Sequence, residues 1–409
     1  MLQRQRAWMD VRYRYVVMIA SLLMLTIGSG GTFTLVVALK HIAQDFGWPR
    51  TIPSLGYSLQ YFGGGIGGIA LGYVLDRVGA AVPAHLAAVM VGTGALLMSG
   101  IEQPWQLFLI YGFMFGFMGH GALVSPLTAN ILRWFDRRRG MAVGIVMAGQ
   151  TLSGTIWPPV AWYFIEHYGW RHTYFLFGCF ALATMLPLSL LFRRRPPEPP
   201  APALPAQPLP DALAKRPPLS PAVLQATLCA GIYLCCVAMS LPLAHVVAHT
   251  SDLGHPMTRA AEMLAVMLLA STVGRMFVLG PVTDRLGGIR GLLAFSSAQA
   301  AALALFLAVD GLVGLYVLSA AFGLGYSGVI PCYSIILREY LPLREVGRRT
   351  GLLTLFGGLG MASGGWLGGF VFDVMHGYPL AFAIGLGFNI VNILVVLALW
   401  RRMRGQAAA

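Results

Sequence analysis

The sequence predicts an all-α integral membrane protein: twelve transmembrane helices in two pseudo-symmetric six-helix bundles, both termini cytoplasmic. Three observations predict it. Of 409 residues, 57% are hydrophobic and only 11% charged, against roughly 25% charged in a soluble domain. Apolar runs of about 20 residues, the length that crosses a bilayer, recur along the whole chain. The 28 Lys and Arg are also spread unevenly between alternate connections.

The runs fall at 15–39, 53–75, 80–101, 105–132, 140–164, 172–192, 222–248, 260–282, 289–309, 312–337, 347–372 and 378–400. The first is too long for the apolar core of a cleaved signal, and "SGGTFTLVVALKHI" has no clear cleavage pattern. With the N-terminus cytoplasmic, 23 Lys and Arg fall in cytoplasmic connections and tails. Only Lys40, Arg50, Arg171 and Arg259 fall opposite. That bias sets the orientation, and it explains the net charge of +13 without nucleic acid. Arg275 is the one basic residue left over, inside a span. All 15 Asp and Glu lie in loops, tails or span ends. The five cysteines (Cys179, Cys229, Cys235, Cys236, Cys332) sit in spans, without the spacing or His partners of a metal site. They read as small packing residues.

The segment 194–221, "RRPPEPPAPALPAQPLPDALAKRPPLSP", favours an extended linker. It separates an N-terminal bundle, 1–193, from a C-terminal bundle, 222–409. The halves share sequence. "DFGWPRT" (45–51) resembles "DLGHPMT" (252–258), and "GYVLDRVG" (72–79) resembles "GPVTDRLG" (280–287), at offsets of 207 and 208. Two features at one spacing indicate an internal repeat, a known plan for carriers with a central site near the midplane.

"GYVLDRVG" between spans two and three, repeated as Gly280, Asp284, Arg285 and Gly287, resembles the loop motif of the major facilitator superfamily. The resemblance covers essentially the whole chain. "DFGWPR", "RWFDRRRGMAVGI" (133–145) and the Gly274-Arg275 pair are similar to the monocarboxylate porter branch and its bacterial relatives. That resemblance implies transport of small organic anions, often with protons. The eukaryotic porters carry an aspartate one turn before the span-eight arginine and often a lysine in span one; here stand Ser271 and, near the second point, Phe33.

Arg275 lies nine residues before Asp284, roughly 13 Å into the membrane at about 1.5 Å per residue. A lone arginine there costs at least about 2.5–3.5 kcal/mol. Its repeat counterpart is Gly67, so the repeat does not require it. It is read as the carboxylate ligand, since a planar guanidinium pairs with a carboxylate bidentately. Ser271, four residues earlier on the same helix face, Tyr326 in "GLGYSGVIP", Phe33 and Gln150 complete the expected substrate set. Tyr333, two turns beyond Tyr326, ranks below it.

His120 and His245 are the histidines deepest in the spans. Histidine relays protons near neutral pH, so both are candidates for coupling, with His245 suited to an outer rim. Gly72, Asp76, Arg77, Gly280, Asp284 and Arg285 are expected to form a cytoplasmic gate. There the glycines permit close helix approach, and the carboxylates pair with arginines of the adjoining loop or with a helix N-terminus. "RWFDRRRG" reads as a solvated anchor at the lipid surface, with Trp134 in the interfacial belt. "GTIWPP" (154–159) carries little weight.

Together these readings predict a secondary active transporter of a small organic monocarboxylate in a bacterial inner membrane, a monomer needing no cofactor. The expected partners are the organic anion, a proton co-substrate and the lipid bilayer. A dicarboxylate or aromatic acid is the alternative cargo, and a non-transporting ligand sensor a weaker one. The spans lack the paired acids, metal cluster or nucleophile–base pair of an enzyme.

Overall fold

The structure, a computed structural model, describes residues 2–135, 139–194, 219–340 and 343–405. Among these every regular element is helical. The linker expected at 194–221 lies almost wholly outside them, as do residues 136–138 of the "RWFDRRRG" cluster. Nine stretches are long and apolar enough to cross a membrane. Contacts divide the chain into two compact units. One comprises 1–48 and 59–203; the other comprises 49–58 and 204–409. Residues 49–58 therefore pack with the second unit, although they fall inside the N-terminal half of the sequence.

In the first unit, α1 (Leu2–Gly28) and α2 (Gly30–Phe46) divide the first apolar run at Ser29. Gly47, with φ 65°, ends α2, its N–H reaching Ala43 and Gln44; this is the left-handed cap that glycine adopts without strain. Next come α3 (Thr51–Val78), α4 (Ala81–Met98), α5 (Pro104–Leu109), a π-helical stretch (Ile110–His120), α6 (Gly121–Trp134) and α7 (Arg139–Leu190). The 52-residue α7 breaks at Gly169, where φ is 78° and ψ 161°.

Glycine sets how closely these helices pass. A Cβ on Gly63 would lie 2.1 Å from the Gly112 carbonyl oxygen, and one on Gly67 2.1 Å from that of Phe117. Backbones of α3 and the π-helical stretch are thus in direct contact, which small residues permit in lipid. Tyr111, fully buried, donates to the Gly31 carbonyl at 2.9 Å and sits 2.7 Å from the Tyr174 hydroxyl. Trp157 of "GTIWPP" donates to the Thr26 carbonyl at 2.9 Å. It is a packing residue.

In the second unit, Ser220 caps α8 (Pro221–Asp252) through Val223 N–H, with proline at the first helical position. α9 (Met257–Val273) runs through a π-helical turn (Gly274–Val278) into α10 (Leu279–Leu305), which breaks at Gly287, φ 77°. α11 (Leu312–Ser327), α12 (Val329–Tyr340), α13 (Leu343–Met375) and α14 (Pro379–Gly405) follow. Most of α8 is buried around its whole circumference, which makes it the centre of this unit. A Cβ on Gly360 would lie 2.4 Å from the Tyr233 carbonyl oxygen, and one on Gly364 2.4 Å from that of Val237. Four of the five cysteines are buried as expected of packing residues; Cys179 is exposed.

The internal repeat is visible in the backbone. Positive φ occurs at Gly47 and Gly254, at Gly79 and Gly287, and at Gly169 and His376, each pair 207 or 208 residues apart. His376, at φ 55°, is a non-glycine residue held where its first-half counterpart is glycine.

Candidate functional site

Arg275 sits in the π-helical turn Gly274–Val278, a local widening that recurs at functional positions. Close packing of α9 on α11 places it. A Cβ on Gly274 would be 2.3 Å from Ser327 Oγ, and one on Gly323 2.1 Å from the Met267 carbonyl oxygen. The two helices therefore touch, and Arg275 comes within electrostatic range of Tyr326. Ser271 lies one turn before it on α9, also facing Tyr326.

These three groups share one property. Arg275 Nε, Ser271 Oγ and the Tyr326 hydroxyl are buried and have no partner at hydrogen-bond geometry among the described residues, although the Ser271 and Tyr326 hydroxyls face each other. Arg275 is half-buried, and it forms no ion pair with any described residue. Ser271 is 0% exposed and Tyr326 2%. Buried polar atoms are normally satisfied. Two unsatisfied hydroxyls therefore lie beside one permanent cation. The alternative for Ser271, a bond to its own backbone, is not made.

Tyr333 is different. It donates to Asn392 Oδ1 at 2.7 Å within a buried network, in which Asn392 Nδ2 reaches Ser296 Oγ at 3.2 Å and Asn389 Nδ2 the Ser296 carbonyl at 3.1 Å. Its hydroxyl is spent on helix packing. His245, fully buried, lies 2.8 Å from the Gly365 carbonyl through Nε2, leaving Nδ1 without a partner. A carbonyl can only accept, so Nε2 carries the proton and the ring bridges α8 and α13.

Phe33, Gln150 and His120 belong to the first unit and are half-buried. His120 packs on Tyr61 at 5.8 Å between ring centres, and over Gly64, where a Cβ would come within 2.7 Å of its ring. It makes no hydrogen bond to any described residue.

The loop motif departs from expectation. A Cβ at Gly72 or Gly280 would meet nothing within 4 Å, so neither glycine is required here for close approach. The motif's last glycines, Gly79 (φ 91°) and Gly287 (φ 77°), are the ones that need glycine. Asp76 pairs with Arg133, as expected of an arginine in the adjoining loop, and both side chains are exposed. Arg77, Asp284 and Arg285 are exposed and unpaired among the described residues. Trp134 is 6% exposed and packs on Tyr13 at 5.6 Å; it is a core residue, not part of an interfacial belt.

One cluster of the second unit gave no signal in the sequence. Arg50 donates through Nη2 to Asp252 Oδ1 at 2.8 Å and through Nη1 to Asp252 and to the Tyr378 hydroxyl, the latter at 2.9 Å. Its guanidinium lies 3.6 Å over the Phe372 ring. Asp373 accepts from Arg50 N–H at 2.8 Å and Thr51 N–H at 2.7 Å, capping the start of α3. Burial alone would lower the Arg50 pKa. The hydrogen bonds to Asp252 and Tyr378 more than offset this and hold it above the ordinary arginine value. The cation therefore persists at every physiological pH.

Among the described residues, an all-helical architecture with nine membrane-length apolar stretches is that of a polytopic membrane protein. The Major Facilitator Superfamily model matches residues 17–277 and 226–408, and the chain belongs to that superfamily. It is 26% identical to monocarboxylate transporter 13 of Bos taurus over 89% of this chain and 82% of the relative. It is 24% identical to the uncharacterized MFS-type transporter YcxA of Bacillus subtilis over 85% of each. Among solved structures, a bacterial homolog of the human lysosomal transporter Spinster shares the fold. Its TM-score is 0.73 at 15% identity, over 95% of this chain and 97% of that one.

Proposed function

We propose that this chain is a secondary active carrier of a small organic monocarboxylate, coupled to protons and working by alternating access in a bacterial inner membrane. The observation that carries the reading is the partnerless Arg275 beside the unsatisfied Ser271 and Tyr326 hydroxyls. A carboxylate accepts two N–H bonds from the guanidinium, and the hydroxyls donate to its oxygens. Binding neutralises the cation and lowers the cost of enclosing it away from water. The name of the Bos taurus relative is consistent with this cargo.

The proposed topology has twelve spans in two bundles, 1–193 and 222–409, joined by a linker at 194–221 with both termini cytoplasmic. Breaks at Gly169 and Gly287 divide two of the nine apolar stretches, and α3 supplies one more span. Proton coupling is assigned to His120, whose ring has no hydrogen-bond partner among the described residues. His245 has a bridging role at the rim. Gly72, Asp76 and Arg77, with Asp76 paired to Arg133, and the repeat copy Gly280, Asp284 and Arg285 serve as the cytoplasmic gate. The carrier functions as a monomer.

The test is uptake of labelled lactate and pyruvate into proteoliposomes, with and without an inward proton gradient. Gradient-stimulated uptake that is lost in Arg275→Lys and uncoupled from protons in His120→Gln supports the reading; uptake indifferent to Arg275 removes it. An aromatic acid is the second cargo, favoured by the Tyr326 ring beside Arg275. Aromatic monocarboxylates belong in the same assay.

A further inference from the structure

Where α3 turns into α4, the first unit holds a cavity of about 50 Å³. A water needs roughly 10–15 Å³ by the same kind of measure, so a few waters or one tetrahedral oxyanion would fill it. Its walls are the backbone of 79–81, Asn130 of α6, Arg133, and Arg193 and Arg194 at the end of α7.

Val78 and Phe192 complete the lining, and the polar walls present donors. Gly79, at φ 91°, bends the chain so that α4 starts at the cavity. Ala80 occupies the cap position and offers no side-chain acceptor, so the first amides of this 18-residue helix are uncapped. Helix starts favour anions. A second, independent observation points the same way. Asn130 is 3% exposed and lines the cavity, yet its amide makes no hydrogen bond to any described residue. Three arginines, Arg133, Arg193 and Arg194, line the space, and Arg133 also pairs with Asp76. Arg194 also lies over the Tyr13 ring at 4.8 Å, which fixes its stem beside the opening. Val78 and Val82, next to the site, expose apolar surface.

We propose that this cavity is a phosphate-oxyanion site, filled by the headgroup phosphate of an anionic glycerophospholipid. The uncapped amides and Asn130 Nδ2 donate to its oxygens, Arg193 and Arg194 supply the charge, and the exposed valines meet the acyl chains. A bound phosphate also lies beside Arg133 and competes with Asp76 for it, so occupancy loosens the Asp76–Arg133 pair. The site stands apart from Arg275 and does not rest on the cargo proposed above.

The full-length protein is tested in two arms. Native mass spectrometry compares retention of phosphatidylglycerol with that of a diacylglycerol lacking phosphate. Thermal unfolding compares inorganic phosphate with chloride at equal ionic strength. Asn130→Asp places a like charge against the oxyanion, and Arg193→Gln removes an exposed cation without touching the core. Each is expected to weaken the phosphatidylglycerol preference about tenfold, the order of one lost charge-assisted hydrogen bond. Protection by inorganic phosphate alone, lost in the same variants, keeps the oxyanion site and assigns it to the free ion. A lipid preference and a phosphate response that both survive the two variants overturn the proposal.

Discussion

Replacing Arg275 by methionine keeps an unbranched stem and removes the cation, and the structure predicts opposite effects on stability and on binding. A lone arginine at membrane depth costs about 2.5–3.5 kcal/mol. Arg275 Nε is buried without a partner, while the residue as a whole is half-buried; about half the full cost, ~1–2 kcal/mol, is therefore a fair measure of what the empty carrier bears. Arg275→Met recovers it. At roughly 2 °C per kcal/mol for a large chain, the melting temperature without substrate rises by about 2–4 °C. Substrate binding moves the other way. Two charge-assisted hydrogen bonds, each about 1.5–3 kcal/mol, are lost, so affinity falls about a hundredfold or more. The assay is thermal unfolding of purified protein with and without lactate or pyruvate, alongside counterflow in liposomes. A variant less stable than wild type when empty would show that Arg275 is a satisfied structural cation. Unchanged counterflow would show that it does not hold the cargo. Either result refutes the reasoning.

Three further outcomes follow from the packing. Asp252→Asn leaves Arg50 buried without its counter-charge and is expected to cost about 3–5 kcal/mol, read as a lower melting temperature; adding Arg50→Met should restore part of that loss, and a strictly additive double variant would deny the coupling. Gly67→Ala drives a methyl to 2.1 Å from the Phe117 carbonyl oxygen, an overpacking expected to cost about 1–3 kcal/mol; the same change at Gly72, where nothing lies within 4 Å, should be tolerated, and equal melting of the two variants would contradict the packing. His376→Gly relieves a left-handed side chain worth about 1–2 kcal/mol against about 0.5–1 kcal/mol of added chain entropy, so melting should rise slightly, and a fall would mean that the histidine makes contacts worth more than its strain.

Span positions were largely legible because each long apolar run has one solution in lipid: a helix that satisfies its own backbone. Arg275 stands out in the sequence for the complementary reason, as the one basic residue within a predicted span with no acid to neutralise it. The Arg50 cluster was not. Arg50 is separated from Asp252 by 202 residues and from Tyr378 by 328, and nothing local distinguishes it from the other three cations on its side. Its only sequence trace is the run "DFGWPRT" and its repeat copy "DLGHPMT", which holds Met257 in the position of Arg50. Aromatic residues at span ends usually face lipid, whereas Trp134 is buried against the Tyr13 ring. At Gly72 and Gly280 the sequence does not distinguish glycine used for close approach from glycine used for conformation, and a Cβ at either would meet nothing within 4 Å.

The repeat bears on why the candidate ligands of the cation fall in one half. Positive-φ residues recur at 47 and 254, 79 and 287, and 169 and 376, so both halves keep the same turn geometry. The equivalent of Arg275 is Gly67, and Gly67 is pressed against the Phe117 backbone. No side chain fits there, still less a guanidinium. In the second half the tight glycine stands one residue earlier, at Gly274, where a Cβ would meet the Ser327 side chain rather than a backbone, and position 275 carries a long side chain. The glycine contact thus does the packing in both halves, and a one-residue offset in where it falls gives the second half a cation. On this account, moving the cation by exchanging the pair, Gly67→Arg with Arg275→Gly, fails at the first substitution because α3 cannot close on its neighbour. Transport rescued by that exchange, with the protein folded, would show that the two positions are interchangeable and that the asymmetry is not set by packing.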